Sequence, residues 1–187
     1  IVAFEVAVSP TPRAELTVEL STTAKISLVI SFIATDTPTA IASFEEIKTL
    51  PIEEMPPGLV SAAWRNLASL YVEQEDYEKG LAGYLDWMDL PFVEVGARDW
   101  FFLSQMYYMV EDFPSGLQAV NTAIDMEQAE GSLGEENWWS MRYYFQYQLE
   151  QIDDAVDTLI VLVENWTKSQ WLMSLAGQLA DQERDHE

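Results

Sequence analysis

The sequence predicts an all-α protein built as a solenoid of stacked antiparallel helix pairs. Residues of similar size and polarity recur at fixed offsets after Trp64, Trp100, Trp139 and Leu172, which are 36, 39 and 33 residues apart. Small residues recur at two of these offsets, and turn-forming residues lie between them. A period of about 34 residues is typical of helix–turn–helix repeats, in which no single pair can bury both of its faces.

The first 34 residues have a different character and form an uncertain N-terminal segment, residues 1–34. Residues 14–20 and 25–33 are rich in Val, Ile, Thr and Ser, which favours two strands of a β-hairpin. Alternatively, the short apolar run at 26–34 follows Lys25 as in the remnant of a signal peptide. The run is internal and far shorter than the roughly 20 residues of a membrane span. Both interpretations stay open from the sequence.

Residues 35–187 form the predicted repeat domain. Thr37 before Pro38 predicts the start of a helix that continues to about Leu50, the second helix of an earlier repeat. Residues that end helices then interrupt the pattern: Pro51, Pro56, Pro57 and Gly58. The repeats are expected near residues 61–91, 97–128 and 136–166, with a partial repeat at 169–187.

The offsets have a physical reason. Positions three, four and seven after Trp64 lie on one face of a helix, and positions thirteen, sixteen and twenty lie on one face of the next. After Trp64 they hold Leu67, Ala68, Tyr71, Tyr77, Gly80 and Tyr84. After Trp100 they hold Leu103, Ser104, Tyr107, Phe113, Gly116 and Val120. The small residues at four and sixteen let two helices approach closely.

Aspartates precede the second helix of each pair and predict its N-cap: Asp76, Asp112 and the pair Asp153 and Asp154. The third repeat departs from the pattern, because Arg142, Tyr143 and Gln146 stand where Leu, a small residue and Tyr are expected. Either its first helix is rotated or it packs irregularly. A rotated helix would bury Trp138, Met141 and Phe145 instead.

The pattern resembles the tetratricopeptide repeat (TPR). The resemblance rests on W-x2-L-A-x2-Y…Y-x2-G-x3-Y from Trp64 to Tyr84 and W-x2-L-S-x2-Y…F-x2-G-x3-V from Trp100 to Val120. It covers residues 64–187 and implies a right-handed superhelix that binds other proteins and catalyses nothing.

A narrower resemblance is to the periplasmic TPR proteins that accompany bacterial TonB–ExbB–ExbD energy-transduction systems. Three stretches carry it: residues 67–77, residues 136–139, and residues 169–172 with Leu175, Ala176 and Gly177 after them. By this resemblance alone, a periplasmic location is favoured over a cytoplasmic one. Residues 1–34 do not fit that group.

The charge of the chain bounds its partners. The formal net charge is −23, so nucleic acid and anionic membranes are repelled at distances below the Debye length of about 8 Å. There is no cysteine, which excludes disulfides and thiolate metal sites. We therefore expect a protein or peptide partner, either basic or with apolar anchors, and neither nucleic acid nor membrane insertion.

Catalytic groups are scarce, so we expect no enzyme, cofactor or metal. His186 is the single histidine and lies in an acidic tail, which argues against triads that use histidine as a base. The adjacent carboxylates, such as Glu45 with Glu46, point in different directions on a helix and stay solvated. They do not match the paired carboxylates of a hydrolase, which face each other across a pocket.

The TPR resemblance implies a concave groove lined by the first helix of each pair, at offsets of two, five, eight and nine. These positions are Asn66, Ser69, Val72 and Glu73, then Phe102, Gln105, Tyr108 and Met109, then Met141, Tyr144, Tyr147 and Gln148. The second and third sets are rich in aromatic residues and Met, which suits a peptide with apolar anchors. The alternative is that these side chains pack within the chain.

Some TPR domains grip a C-terminal carboxylate with Lys, Asn and Arg in this groove. Among the matching positions of this sequence, Arg65 and Asn137 alone could serve, so such a clamp is disfavoured. The predicted function is a protein-binding scaffold, in the narrower reading an accessory of an envelope transport complex. The alternatives are a structural subunit that associates with itself and a carboxylate-dependent helical hydrolase.

Overall fold

The computed structural model describes residues 37–185, and within them the chain forms eight α-helices and no strand. The helices are α1 (Thr37–Lys48), α2 (Pro57–Glu73), α3 (Tyr77–Met88), α4 (Ala97–Met109), α5 (Phe113–Ala129), α6 (Glu136–Gln148), α7 (Ile152–Asn165) and α8 (Ser169–Asp185). A short 3-10 helix, Ile52–Glu54, lies between α1 and α2. The all-α prediction is confirmed, whereas the predicted β-hairpin lies outside the described residues.

The helices form antiparallel pairs that stack in chain order. In each of the pairs α2–α3, α4–α5 and α6–α7, three residues join the two helices. Each helix packs on the next along the chain, with α1 and α8 at the two ends. This succession of pairs is the predicted solenoid.

The three turns within the pairs share one backbone geometry, set by a glutamate in the left-handed region. Glu75, Glu111 and Glu150 have φ angles of 61°, 59° and 57°. After each, the next amide donates to the carbonyl five residues back, as from Asp76 N to Tyr71 O at 2.9 Å. Glycine usually takes this position, because a side chain there costs about 1–2 kcal/mol. The third repeat therefore keeps the common turn although its helix sequence is irregular.

The predicted N-caps are right in two pairs and wrong in the third. The Asp76 side chain accepts from Lys79 N, and the Asp112 side chain accepts from Ser115 N. In the third pair α7 begins at Ile152, after Gln151, which makes no side-chain cap. The predicted caps Asp153 and Asp154 lie inside the first turn, where their charge complements the helix dipole.

Small residues sit where helices meet most closely. Ala68 is fully buried, and a Cβ added to Gly80 would lie 2.8 Å from Val72 Cγ2 within the same pair. A Cβ added to Gly116 would lie 2.5 Å from Cζ of Phe145, which belongs to the next pair. Glycine is thus needed both within a pair and between pairs.

The third repeat combines the two alternatives that the sequence left open. Trp138 and Phe145 are buried, as a rotated helix would require, but Trp139 and Gln146 are buried as well. Met141, expected to be buried, is only half-buried. The helix buries two adjacent faces because α5, α7 and α8 all surround it, as a wide core cluster shows.

Gln146 is tolerated in this core because it is hydrogen-bonded. Its side-chain amide lies 2.7 Å from the buried Thr158 hydroxyl. With the amide nitrogen towards Thr158, that nitrogen also donates to the Asp154 carbonyl at 3.2 Å, and the amide oxygen accepts from Arg142 Nε at 3.3 Å. A buried polar group with such partners avoids most of its desolvation penalty.

The first helix pair begins before Gly58, and the last helix, α8, has one uncovered face. Gly58, expected to interrupt the helical pattern, lies in the first turn of α2, which Pro57 opens. At the other end, the face of α8 that should pack on a partner helix is exposed, with Leu172 54% and Met173 69% accessible. No described helix follows α8 to cover this face, whereas Trp171 and Leu175 pack inward on the second core cluster, whose buried residues include Trp138, Phe145 and Leu159.

Candidate functional site

An apolar pocket of about 160 Å³ opens between the first and second helix pairs. Helices α2, α3 and α4 line it through Val72, Tyr77, Phe102, Gln105, Met106 and Met109. Apart from the Gln105 amide and the Tyr77 hydroxyl, these side chains offer only apolar surface. We name it the Phe102 pocket.

A second pocket of about 190 Å³ adjoins the first, between the second and third pairs. It is lined by Tyr108, Met109, Glu111, Phe113 and Tyr144, and we name it the Glu111 pocket. Met109 lines both pockets. The two pockets therefore meet at Met109, and together we name them the Met109 groove, which extends from one repeat to the next.

The exposure of the groove side chains distinguishes those that can contact a ligand from those that pack within the chain. Tyr108 is 39% and Met109 47% accessible, which is far more than internal packing requires. Phe102 is half-buried, and the centre of its ring lies 4.9 Å from the centre of the buried Tyr84 ring. Phe102 thus serves packing while still lining its pocket, and Tyr108 and Met109 face solvent.

Aromatic contacts hold the walls of the Glu111 pocket in place. The rings of Tyr108 and Tyr144 meet edge to face at 5.2 Å, with 70° between their planes. Phe113 and Tyr144 also meet edge to face, at 6.0 Å and 83°. Such T-shaped pairs contribute about 0.5–1.5 kcal/mol each beyond burial, so the pocket is formed before any ligand arrives.

The electrostatics of this pocket are negative. The pKa of Tyr144 is raised by partial burial, by the neighbouring Tyr108 and by the Glu111 carboxylate. Tyr144 consequently stays a neutral phenol throughout the physiological range. The pocket combines neutral aromatic rings with a single carboxylate, and no lining residue carries a positive charge.

Several predicted site residues lie outside the groove. Asn66, Ser69, Asn137, Met141 and Tyr147 line neither pocket. The Ser69 hydroxyl donates to a carbonyl of its own helix at 3.1 Å, and Met141 packs against the second core cluster. Tyr147 is 47% accessible, but its ring neighbours Tyr143 at 6.2 Å and not the pocket walls.

Arg65, one of the two possible members of a carboxylate clamp, is already engaged. Its guanidinium lies 3.3 Å from Asp99 Oδ1 and 5.0 Å from the centre of the Trp87 ring. The Asp99 side chain also accepts from Gly96 N at 3.0 Å, so this contact ties α2 to the start of α4. Arg65 is therefore better described as a residue that joins the first two repeats.

Four groove residues were absent from the predicted set: Tyr77, Met106, Glu111 and Phe113. Tyr77 and Phe113 occupy the thirteenth offset, which was interpreted as core, yet both are half-buried with part of the ring in a pocket. Glu111 lies in the turn, outside any helical face. The equivalence of the turns, eleven residues after each Trp anchor, is the sequence signal that could have revealed Glu111.

A further cavity of about 310 Å³ lies among α3, α4, α5 and the loop after α3. Its walls include Trp100, Leu103 and Tyr107, the offsets zero, three and seven that pack the repeat together. It shares no lining residue with the Met109 groove. We interpret it as a gap between stacked helices.

Within residues 37–185, no three His, Cys, Asp or Glu side chains cluster as a metal site would require. Nor does any described helix combine the length and apolarity that a membrane span needs.

Comparison with known proteins identifies solved structures that share this architecture. No family model and no curated protein matches the chain. Among solved structures, the MamA protein matches with a TM-score of 0.64 at 11% identity, covering 87% of this chain and 85% of that one. YrrB, described as a TPR protein with an unusual peptide-binding site, matches with a TM-score of 0.63 at 11% identity, over 86% and 77%.

A putative kinesin light chain from Podosopora anserina with nearly identical TPR-like repeats matches at a TM-score of 0.58 and 14% identity, over 87% of each chain. These likenesses extend over most of both chains at low identity. They agree with the all-helical stack of pairs described above. The chain has the fold of the tetratricopeptide-repeat proteins.

Proposed function

We propose that this chain is a non-catalytic scaffold that binds an extended peptide segment of another protein in the Met109 groove. The observation that carries the proposal is that two pockets on adjacent repeats share the exposed Met109 side chain. Met and aromatic side chains adapt to varied apolar ligands and are enriched where binding energy concentrates. YrrB, which shares the fold, is described as a TPR protein with an unusual peptide-binding site, and this supports peptide binding as the kind of function.

The mechanism follows from the rigidity of the stack. The pocket walls are fixed by core packing and by the aromatic contacts of Tyr144. A preformed groove needs little ordering of its own side chains, so most of the loss of conformational freedom falls on the peptide. Apolar side chains of the peptide would enter the Phe102 pocket, and its backbone would run past Met109.

The test is a selection of random dodecapeptides displayed on phage against the purified chain. The double variant Tyr108→Ala, Met109→Ala should bind the selected peptides at least about tenfold more weakly, because anchors of this kind contribute more than about 1 kcal/mol each. The matched control is Leu172→Ala, Met173→Ala, which removes exposed apolar side chains of α8 outside the groove. Equal loss in both variants, or in neither, would refute the groove as the site.

A finer proposal is that the partner belongs to a bacterial envelope transport complex. It is supported by the resemblance of residues 67–77, 136–139 and 169–172 to periplasmic TPR proteins. Crosslinking in the source cell, followed by separate analysis of envelope and soluble fractions, tests it. Recovery of a crosslink that requires Tyr108 and Met109 in the soluble fraction alone would contradict it.

The exposed face of α8 favours one second candidate, a structural subunit that associates with itself. Leu172, Met173 and Leu179 are exposed there without a covering helix among the described residues. Light scattering over a concentration series tests this, because only self-association raises the mass without a partner. A constant monomer mass would refute it.

A further inference from the structure

We infer that the Glu111 pocket binds an arginine side chain, so the recognised segment carries an arginine close to its apolar anchor. This inference rests on the proposed function and specifies the partner. It assigns different roles to the two pockets of the Met109 groove: the Phe102 pocket takes an apolar side chain, and the Glu111 pocket takes a cation.

The composition of the Glu111 pocket suits a cation. Its walls present the rings of Tyr108, Phe113 and Tyr144 around one carboxylate, and its volume of about 190 Å³ holds one long side chain. Aromatic ring faces attract cations through their quadrupole, and a carboxylate adds a charge-assisted hydrogen bond. Burial, the neighbouring Tyr108 and, least of the three, the Glu111 carboxylate raise the pKa of Tyr144, in keeping with a carboxylate beside this pocket wall.

The chain itself supplies no cation to this pocket from its described side chains. Each basic side chain described between residues 37 and 181 is engaged elsewhere, with an acidic or aromatic partner. The pairs are Lys48 with Asp86, Arg65 with Asp99, Lys79 with Asp76, Arg98 with Glu135, Arg142 with the Trp139 ring, and Lys168 with Glu136. Glu111 forms no ion pair with any of them.

Arginine fits better than lysine for a geometric reason. Its planar guanidinium can lie against a tyrosine ring and still present two parallel N–H groups to the Glu111 carboxylate. A lysine ammonium is a compact and strongly hydrated charge that would keep more of its water. The chain uses the same arrangement internally, where Arg65 lies over Trp87 and pairs with Asp99.

Glu111 also has a matched control within the chain. Glu150 occupies the same turn position in the third pair, with φ 57° against 59° for Glu111, but lines neither pocket. Glu150→Gln therefore removes the same charge from the same backbone geometry. It separates local recognition of the cation from the general attraction of basic peptides by a chain of net charge −23.

The experiment extends the dodecapeptide selection to Glu111→Gln and Glu150→Gln. The wild type and Glu150→Gln should enrich arginine at a fixed spacing from an apolar residue, and Glu111→Gln should retain the apolar residue and enrich arginine much less. A synthetic selected peptide with citrulline in place of arginine, which keeps the shape and removes the charge, should bind the wild type about tenfold more weakly. On Glu111→Gln the difference between the two peptides should be clearly smaller, because only the aromatic rings still favour the charge.

The outcomes separate the two proposals. Peptides that depend on Tyr108 and Met109 but show no arginine preference, or one that is undiminished in Glu111→Gln, would overturn the arginine pocket and leave the groove intact. Equal loss of arginine in the Glu150→Gln selection would also overturn it, because the preference would then reflect overall charge. Absence of any peptide that depends on Tyr108 and Met109 would overturn both.

Discussion

Gly116 lies where α5 meets the next repeat, and its replacement by alanine measures how closely the repeats pack. The added Cβ would lie 2.5, 2.8 and 3.0 Å from three atoms of the Phe145 ring, well inside contact distance. The ring cannot move aside easily, because it is fully buried and packs against two other rings. The centres of the Phe113 and Tyr144 rings lie 6.3 Å and 6.0 Å from its own.

Two effects of opposite sign determine how much Gly116→Ala changes the free energy of unfolding. Alanine is favoured over glycine within a helix by about 1 kcal/mol, while overpacking of a core costs roughly 1–3 kcal/mol. Three ring atoms in close contact place Gly116→Ala near the upper end of that range. We expect a net loss of about 1–2 kcal/mol in the free energy of unfolding, or about 2–8 °C in Tm.

Thermal unfolding followed by circular dichroism provides the assay. Gly177→Ala in α8 is the control, because a Cβ there meets nothing within 4 Å and should stabilise the chain by up to about 1 kcal/mol. In a Phe145→Leu background, Gly116→Ala should cost less, which a double-mutant cycle detects. If Gly116→Ala raises Tm as Gly177→Ala does, that result would contradict the close packing of Gly116 against the Phe145 ring.

Three further predictions concern the turns, the core and the last helix. Glu150→Gly relieves the left-handed backbone and should stabilise the chain by about 1 kcal/mol in urea unfolding; an unchanged midpoint would contradict the assigned turn. Thr158→Val leaves the buried Gln146 amide without this partner and should destabilise by about 1–3 kcal/mol, whereas Thr158→Ser should cost less. The hydrogen bond from Lys168 lowers the pKa of Glu136. This contact therefore stabilises α8 at pH values above the usual pKa of a glutamate, and the stabilisation is lost as the pH falls through the lowered pKa. Hydrogen exchange of α8 should show this pH dependence in the wild type and not in Glu136→Gln.

The helix pairs could be predicted from the sequence because their determinants are local. Offsets of three, four and seven mark one helical face, and Leu67 and Ala68 are indeed buried beneath Trp64. The caps Asp76 and Asp112 depend only on the next three residues. Gln146 could not be placed in this way, because its burial depends on a hydrogen bond to Thr158 in the following helix.

The groove was only partly predictable, because it forms between repeats. Tyr108 and Met109 follow from the groove offsets that the TPR resemblance implies, and both side chains are exposed. The Glu111 pocket also needs a turn residue and Tyr144 from the next pair, and their distance depends on how the pairs stack. The ion pair of Arg65 could not be predicted for the same reason, because its partner Asp99 lies in the next repeat.

The pairing of the described basic side chains has a consequence for the behaviour of the chain in salt. Since those cations are held by internal partners, the excess negative charge faces solvent and repels a second copy of the same chain. Added salt shortens the reach of this repulsion and would let the apolar face of α8 meet another copy. The same salt would slow the capture of a basic segment by the groove. Ionic strength therefore acts in opposite directions on contacts between copies and on contacts with a basic partner.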